Sequence, residues 1–214
     1  MKSISQAHLY VLVTGAVARR PVLDVVHMAI DGGADVIQLR EKEMPDREFL
    51  RLAEQIRPIC RDAGVIFIVN DRVAISRLAG ADGVHVGQDD LPAPAARKIL
   101  RSGKILGVST HTIAQARKAQ ADGADYIGVG PIRPTHTKGY EKGVGTEFIR
   151  QVKGEVTIPF FAIGGITLDV LDEIIAAGCA RVAVGSAILA AKDVTAAARR
   201  FKERLVASDA APPT

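Results

Sequence analysis

Gly123-Ala124-Asp125-Tyr126-Ile127-Gly128-Val129-Gly130 spells out one corner of an α/β protein. A glycine closes a helical pattern, a small residue and an aspartate turn the chain, and a short apolar run follows. Glycine is the residue expected just past a helix end, where the backbone enters the left-handed region. The unit recurs at Gly33-Ala34-Asp35 and Gly80-Ala81-Asp82, with Gly178-Cys179-Ala180 as a variant, so four helix-to-strand corners share one spelling.

Working outward from these corners, apolar runs lie at 9–13, 35–39, 65–69, 83–86, 105–108, 126–129, 159–163 and 181–184. Each is short and mostly β-branched or aliphatic, without in/out alternation, as parallel strands covered on both faces should be. Helical stretches separate them. Over 46–61, Phe49, Leu50, Ala53, Ile56 and Ile59 have the spacing of one buried face. Thr112 with Gln115 has the form of a capping box opening a helix over 113–121. The alternation predicts an α/β fold, a single (β/α)8 TIM barrel over 1–207, with a small, Pro-rich tail over 208–214 that frays. A doubly wound open sheet is the competing architecture. No dinucleotide fingerprint follows the first run, and two late glycine turns match a barrel's phosphate site better.

Composition narrows the function. The chain has 214 residues, 48% of them hydrophobic and 24% charged with mixed sign, which is enough for one domain with a full core. A formal charge of +4 with six Phe, three Tyr and no Trp offers little for stacking nucleobases and suits small anionic ligands instead. Cys60 and Cys179 lack metal or CxxC spacing and read as buried spectators, pointing to a reducing cytoplasm. Ala16-Val17-Ala18 mimics a leader cleavage site, but the apolar run before it is short and is broken by Thr14-Gly15, so no cleaved leader is expected. No apolar stretch is long enough for a membrane span. The expected partners are small-molecule substrates, with a homo-oligomer allowed and neither nucleic acid nor membrane involved.

Five of these strand-like runs end in a polar cluster, two later ones in Gly-rich turns, and loops after parallel strands emerge at one rim. Gln38, Arg40 and Lys42 alternate, so a period of two sends all three toward the barrel mouth. Arg offers a fork to phosphate oxygens and Lys a movable charge, unless Glu41 and Glu43 simply neutralise both in solvent. Asp71 and Asp90 on neighbouring loops suit Mg²⁺, with diphosphate oxygens and water completing the shell. Both also precede helices, where they could serve as N-caps, as could Ser109. The connection 131–144 carries Thr135, Thr137 and Lys138 with flanking glycines, and reads either as a functional lid or as a mobile surface loop. Gly164-Gly165 and Gly185-Ser186 form a phosphate cup after the seventh and eighth strands. His85, mid-strand, reads as a hydrogen-bonded interior residue, and His111 as a rim residue able to touch ligand. No zinc or Ser/His/Asp pattern is present.

Taken in order, Gln38-Leu39-Arg40-Glu41-Lys42, Asn70-Asp71-Arg72, Gly83 to Asp90, Gly107-Val108-Ser109-Thr110-His111, Pro134-Thr135-His136-Thr137-Lys138 and Ala162-Ile163-Gly164-Gly165-Ile166 resemble thiamine-phosphate synthase over nearly the whole chain. The resemblance implies a Mg²⁺-dependent transferase that joins hydroxymethylpyrimidine diphosphate to a thiazole phosphate. It implies that Gln38, Leu39, Arg40, Glu41, Lys42, Asn70, Ser109 and Lys138 contact the pyrimidine diphosphate, and that Asp71 and Asp90 bind Mg²⁺. Thr135, Thr137, Gly165, Gly185 and Ser186 would hold the thiazole phosphate, and His136 would also bind substrate. Arg40, Lys42, Ser109 and Lys138 would carry the catalytic part, stabilising a diphosphate that leaves first. Gly139-Tyr140-Glu141-Lys142 departs from the family pattern. A thiazole tautomerase of the same fold would use His111 and would not need the diphosphate apparatus. A non-catalytic phosphate-binding barrel would lack at least one of the charged rim residues.

Overall fold

The computed structural model describes residues 3–134 and 143–209. Its eight parallel strands are β1 Leu9–Val13, β2 Val36–Leu39, β3 Ile66–Asn70, β4 Gly83–Val86, β5 Ile105–Thr110, β6 Tyr126–Val129, β7 Phe160–Ile163 and β8 Val182–Val184. Each strand pairs with its neighbour in sequence and β8 closes onto β1, giving a single (β/α)8 barrel. The outer helices are α1 Val22–Asp31, α2 Asp46–Asp62, α3 Val73–Leu78, α4 Ala93–Ile99, α5 Ile113–Ala121, α6 Glu147–Glu155, α7 Leu168–Ala176, α8 Ser186–Leu189 and α9 Val194–Asp209. Thus α9 runs two residues into the segment 208–214.

The strands show no hydrophobic alternation because both of their faces are covered. Leu9, Val11 and Val13 of β1 pack outward against the helices with Phe67 and Val69 of β3. Tyr10, Leu12, Ile66 and Ile68 fill the barrel interior with Tyr126 and Phe161. A 3-10 turn, Ile4–Gln6, plugs the lower end with Ile4. Polar Gln38, His85 and Ser109 take inward positions that an inert barrel would fill with aliphatics.

The corner aspartates explain the recurring spelling. Asp35 Oδ2 accepts from the Leu9 amide at 3.1 Å, Asp82 Oδ2 from Phe67 at 2.9 Å and Asp125 Oδ2 from Leu106 at 2.7 Å. Each carboxylate at the start of an even strand therefore caps the odd strand before it. Each also meets a cation from an outer helix: Lys202 of α9 at 2.5 Å, Arg57 of α2 at 3.1 Å and Arg97 of α4 at 2.7 Å. A buried amide left without such an acceptor costs about 1–3 kcal/mol. At the fourth corner Lys153 of α6 lies against Gly178, and Ala180 stands where the others carry aspartate.

Candidate active site

Strand pleating delivers β2 as its spacing predicts. Gln38 and Arg40 point into the barrel and are 2% and 8% exposed, whereas Leu39 packs outward among the helix-facing apolar residues. Lys42 follows on the rim, its Nζ 3.7 Å from Asp71 Oδ2. The Glu41 carboxylate turns away to the Gly15 amide and the Thr14 hydroxyl, pinning the loop after β1. Asn70 closes β3, and Asp71 takes the left-handed conformation at φ 59°, a region that aspartate and asparagine tolerate better than most side chains. Ser109 belongs to β5 and is buried. His111 follows, with Nδ1 2.5 Å from the Gly130 carbonyl oxygen, so that nitrogen carries the proton.

Neither rim aspartate caps a helix. The N-cap positions of α3 and α4 are Arg72 and Pro92, and neither has a side-chain cap bond. Asp90 Oδ2 instead accepts from the Gly87 amide at 2.7 Å, folding its own turn. Thr112 does cap α5, accepting from the Gln115 amide at 3.2 Å. Gln115, however, reaches past the cap residue to accept from the His111 amide at 2.7 Å, which fixes the backbone of the rim histidine.

These residues line two adjoining compartments. One is polar and lined by Arg40, Lys42, Asn70, Asp71, Asp90 and Gln88. The other is lined by Gly130, Gly164, Gly165, Gly185 and Ser186 with apolar Val17 and Ile166. Arg40, Ser109 and His111 line both and form the shared wall. Gly165, at φ 64°, sits where a Cβ would come within 2.7 Å of Arg133 Cβ, so only glycine leaves this turn unstrained. Gln38 lies below both compartments with Tyr10, His85 and Tyr126 around an interior void. His85 is hydrogen-bonded and buried there, as its mid-strand position predicts. Burial pushes both phenols above their ordinary range.

The polar compartment fits a hard divalent cation. Among the described residues no group of three or more His, Cys, Asp or Glu gathers as a protein-only metal cage. Two carboxylates beside an arginine and a lysine match Mg²⁺, which keeps several water or phosphate ligands of its own.

Arg72 is a site residue that the sequence reading quoted but gave no role. Its guanidinium donates to the carbonyls of Glu41 at 2.9 Å, Lys42 at 3.2 Å and Met44 at 2.6 Å, and to Asp46 at 2.9 Å. It clamps the β2–α2 loop that carries Lys42 onto the turn that carries Asp71. Thr135, His136, Thr137 and Lys138 lie outside the described residues.

A closed parallel barrel whose strand ends build a glycine-lined cup beside a dicarboxylate pocket defines a phosphate-handling (β/α)8 enzyme. The Thiamine monophosphate synthase family is matched over residues 9–188. A thiamine-phosphate synthase of Moorella thermoacetica is 51% identical over 200 residues, 92% of this chain and 95% of that protein. One of Shouchella clausii is 48% identical over 181 residues, covering 84% and 87%. The structure of a thiamine phosphate pyrophosphorylase from Pyrococcus furiosus superposes with a TM-score of 0.88 at 33% identity, covering 95% of this chain and 98% of that one. The chain belongs to the thiamine monophosphate synthase family.

Proposed function

We propose that the chain joins hydroxymethylpyrimidine diphosphate to a thiazole phosphate, giving thiamine phosphate and diphosphate. The observation that carries this reading is the shared wall. A polar compartment suited to a diphosphate and a glycine-lined one suited to a phosphate monoester meet at Arg40, Ser109 and His111. Two substrates bound there meet end to end, which a one-substrate tautomerase would not need.

In this reading Arg40, Lys42 and Asn70 hold the diphosphate, and the amides of Gly165, Gly185 and Ser186 hold the thiazole phosphate. Asp71 and Asp90 hold Mg²⁺, which when bound supplies a Lewis acid for the charge growing on the diphosphate. The bond between the pyrimidine methylene and the diphosphate oxygen breaks, its electron pair leaving on that oxygen. The thiazole nitrogen then gives its lone pair to the same methylene carbon. Arg40, fixed and 8% exposed, stabilises the leaving charge without having to reorganise. The barrel wall contributes alignment, turning a meeting of two molecules into a local event. Two buried free cysteines support a cytoplasmic setting. Among the described residues no helix is long and apolar enough to cross a membrane.

The test is direct. Purified protein with both phosphorylated substrates and Mg²⁺ should release diphosphate and thiamine phosphate in equal amounts, and omission of either substrate should abolish both. Release of diphosphate without any coupled product would overturn the reading.

A further inference from the structure

Five side chains form one continuous hydrogen-bonded line through the barrel interior. Gln38 Nε2 is 2.6 Å from the Tyr10 hydroxyl, which is 2.8 Å from that of Tyr126. The Tyr126 oxygen is 3.0 Å from His85 Nδ1, and His85 Nε2 is 2.8 Å from Ser109 Oγ. The line ends on Ser109, in the wall shared by the two compartments, and its other four members lie below both.

Every interior link in this line can be made in two senses, and all agree when each hydroxyl proton is used within the line. With the Gln38 amide nitrogen donating to Tyr10, Tyr10 donates to Tyr126 and Tyr126 to His85 Nδ1. His85 then carries its proton on Nε2 and donates to Ser109, whose own proton is not spent on the imidazole. If the Gln38 amide turns over, every bond reverses and Ser109 must donate to His85. In the observed sense Gln38 Oε1 is buried with no hydrogen-bond partner among the described residues, an uncompensated loss of hydration. The rotamer of the Gln38 amide therefore selects the whole line's sense.

The backbone makes room for it. A Cβ at Gly107 would come within 2.5 Å of His85 Nδ1 and collide with the Tyr126 ring. The raised phenol pKa values keep both tyrosines neutral, so the line transmits hydrogen-bond direction and not charge. We propose that Tyr10, Tyr126 and His85 are positioning residues that lock Gln38 and Ser109 into one hydrogen-bond polarity, with His85 setting the direction of the Ser109 hydroxyl. This rests on the synthase reading in that Ser109 faces the pyrimidine substrate, with Gln38 anchoring the far end of the line.

The experiment has a kinetic arm and a spectroscopic arm. An asparagine at 85 can keep the Nδ1 contact to Tyr126, and a glutamine can keep the Nε2 contact to Ser109. His85→Asn should therefore lower kcat/KM for the pyrimidine substrate about tenfold, as Ser109→Ala should, and His85→Gln should recover most of it. In the double variant His85→Asn/Ser109→Ala, the loss should equal that of Ser109→Ala alone; additive losses overturn the proposal. Wild-type protein that turns over while the cycle is additive defeats only the relay, whereas inactive wild type defeats the synthase reading. Nitrogen-15 NMR of the histidine rings reads the relay without turnover. His85 should hold its proton on Nε2 in the wild type and populate Nδ1–H in Gln38→Met. A tautomer indifferent to position 38 overturns the proposal, whatever the kinetics.

Discussion

The guanidinium of Arg72 sits 4.3 Å above the centre of the Phe49 ring, on the first turn of α2. Stacking holds the planar fork edge-on to three carbonyls of the loop between β2 and α2. Lysine could supply the charge but neither the plane nor the fork. Arg72→Lys should raise KM for the pyrimidine diphosphate about tenfold and leave KM for the thiazole phosphate within about twofold. Steady-state kinetics with each substrate varied in turn checks this.

Asp71→Asn and Asp90→Asn separate metal binding from folding. Asparagine accepts the left-handed backbone at position 71 and can still accept from the Gly87 amide at position 90. Thermal midpoints should move by no more than a few degrees. The Mg²⁺ concentration for half-maximal rate should rise, and the rate should fall about 100-fold or more. A Mg²⁺ titration of each variant, with melting curves alongside, measures both.

Ser186 is exposed and opens the short helix α8 in the glycine-lined compartment. A leucine there meets solvent and ligand but no packed core. Ser186→Leu should raise KM for the thiazole phosphate at least about tenfold, with little change for the pyrimidine substrate. Equal effects on both KM values would count against the cup as the monoester site.

Burial pushes the Cys60 thiol up to about 12, with Asp82 adding to the rise and Arg57 opposing it. An unfolded cysteine titrates at about 8.5. The thiolate therefore forms first in the unfolded chain. Stability from this group is fully present below pH about 8.5 and is lost as pH rises toward 12, by up to about 1.4 kcal/mol per pH unit. Cys179, Tyr10 and Tyr126 shift in the same direction. Urea midpoints should hold steady from pH 7 to 8 and fall progressively by pH 10.5. Cys60→Ala, though less stable throughout, should show a shallower alkaline slope.

The fourth corner offers a gain. Lys153 lies across Gly178 much as Lys202 lies across Gly33, but the anion is missing. Ala180→Asp should give Lys153 a carboxylate partner and raise stability by about 0.5–1 kcal/mol at pH 7. The gain should disappear at pH 3, where the new carboxyl is protonated, and calorimetry at the two pH values checks it.

Strand positions were legible in the sequence because the glycine–small–aspartate corner marks the start of a strand and the polar cluster marks its end. The inward direction of Gln38 and Arg40 followed from pleating, although Gln38 sits below the two compartments and Lys42 lies past the end of β2. Asp71 and Asp90 were ambiguous, because an aspartate before a helix has the same local spelling as a cap or a ligand. Only the backbone shows Arg72 and Pro92 in the cap positions. The line through Tyr10, Tyr126 and His85 had no local signal at all. Tyr10 and Tyr126 are 116 residues apart in sequence, and an aromatic in a strand reads as core filling. Arg72 was hidden for a similar reason: three of its four hydrogen-bond partners are backbone carbonyls, which carry no residue identity.

The corner aspartates also bear on the order of events during synthesis. Arg57 and Asp82, like Arg97 and Asp125, emerge from a ribosome close together and can meet while the chain is still growing. Asp35 must wait for Lys202, 167 residues further on. Until α9 arrives, a carboxylate that ends up 1% exposed cannot form its ion pair with Lys202. A message truncated before α9 would thus yield a chain with two of these helix-to-corner ion pairs formed and the third, Lys202 with Asp35, absent.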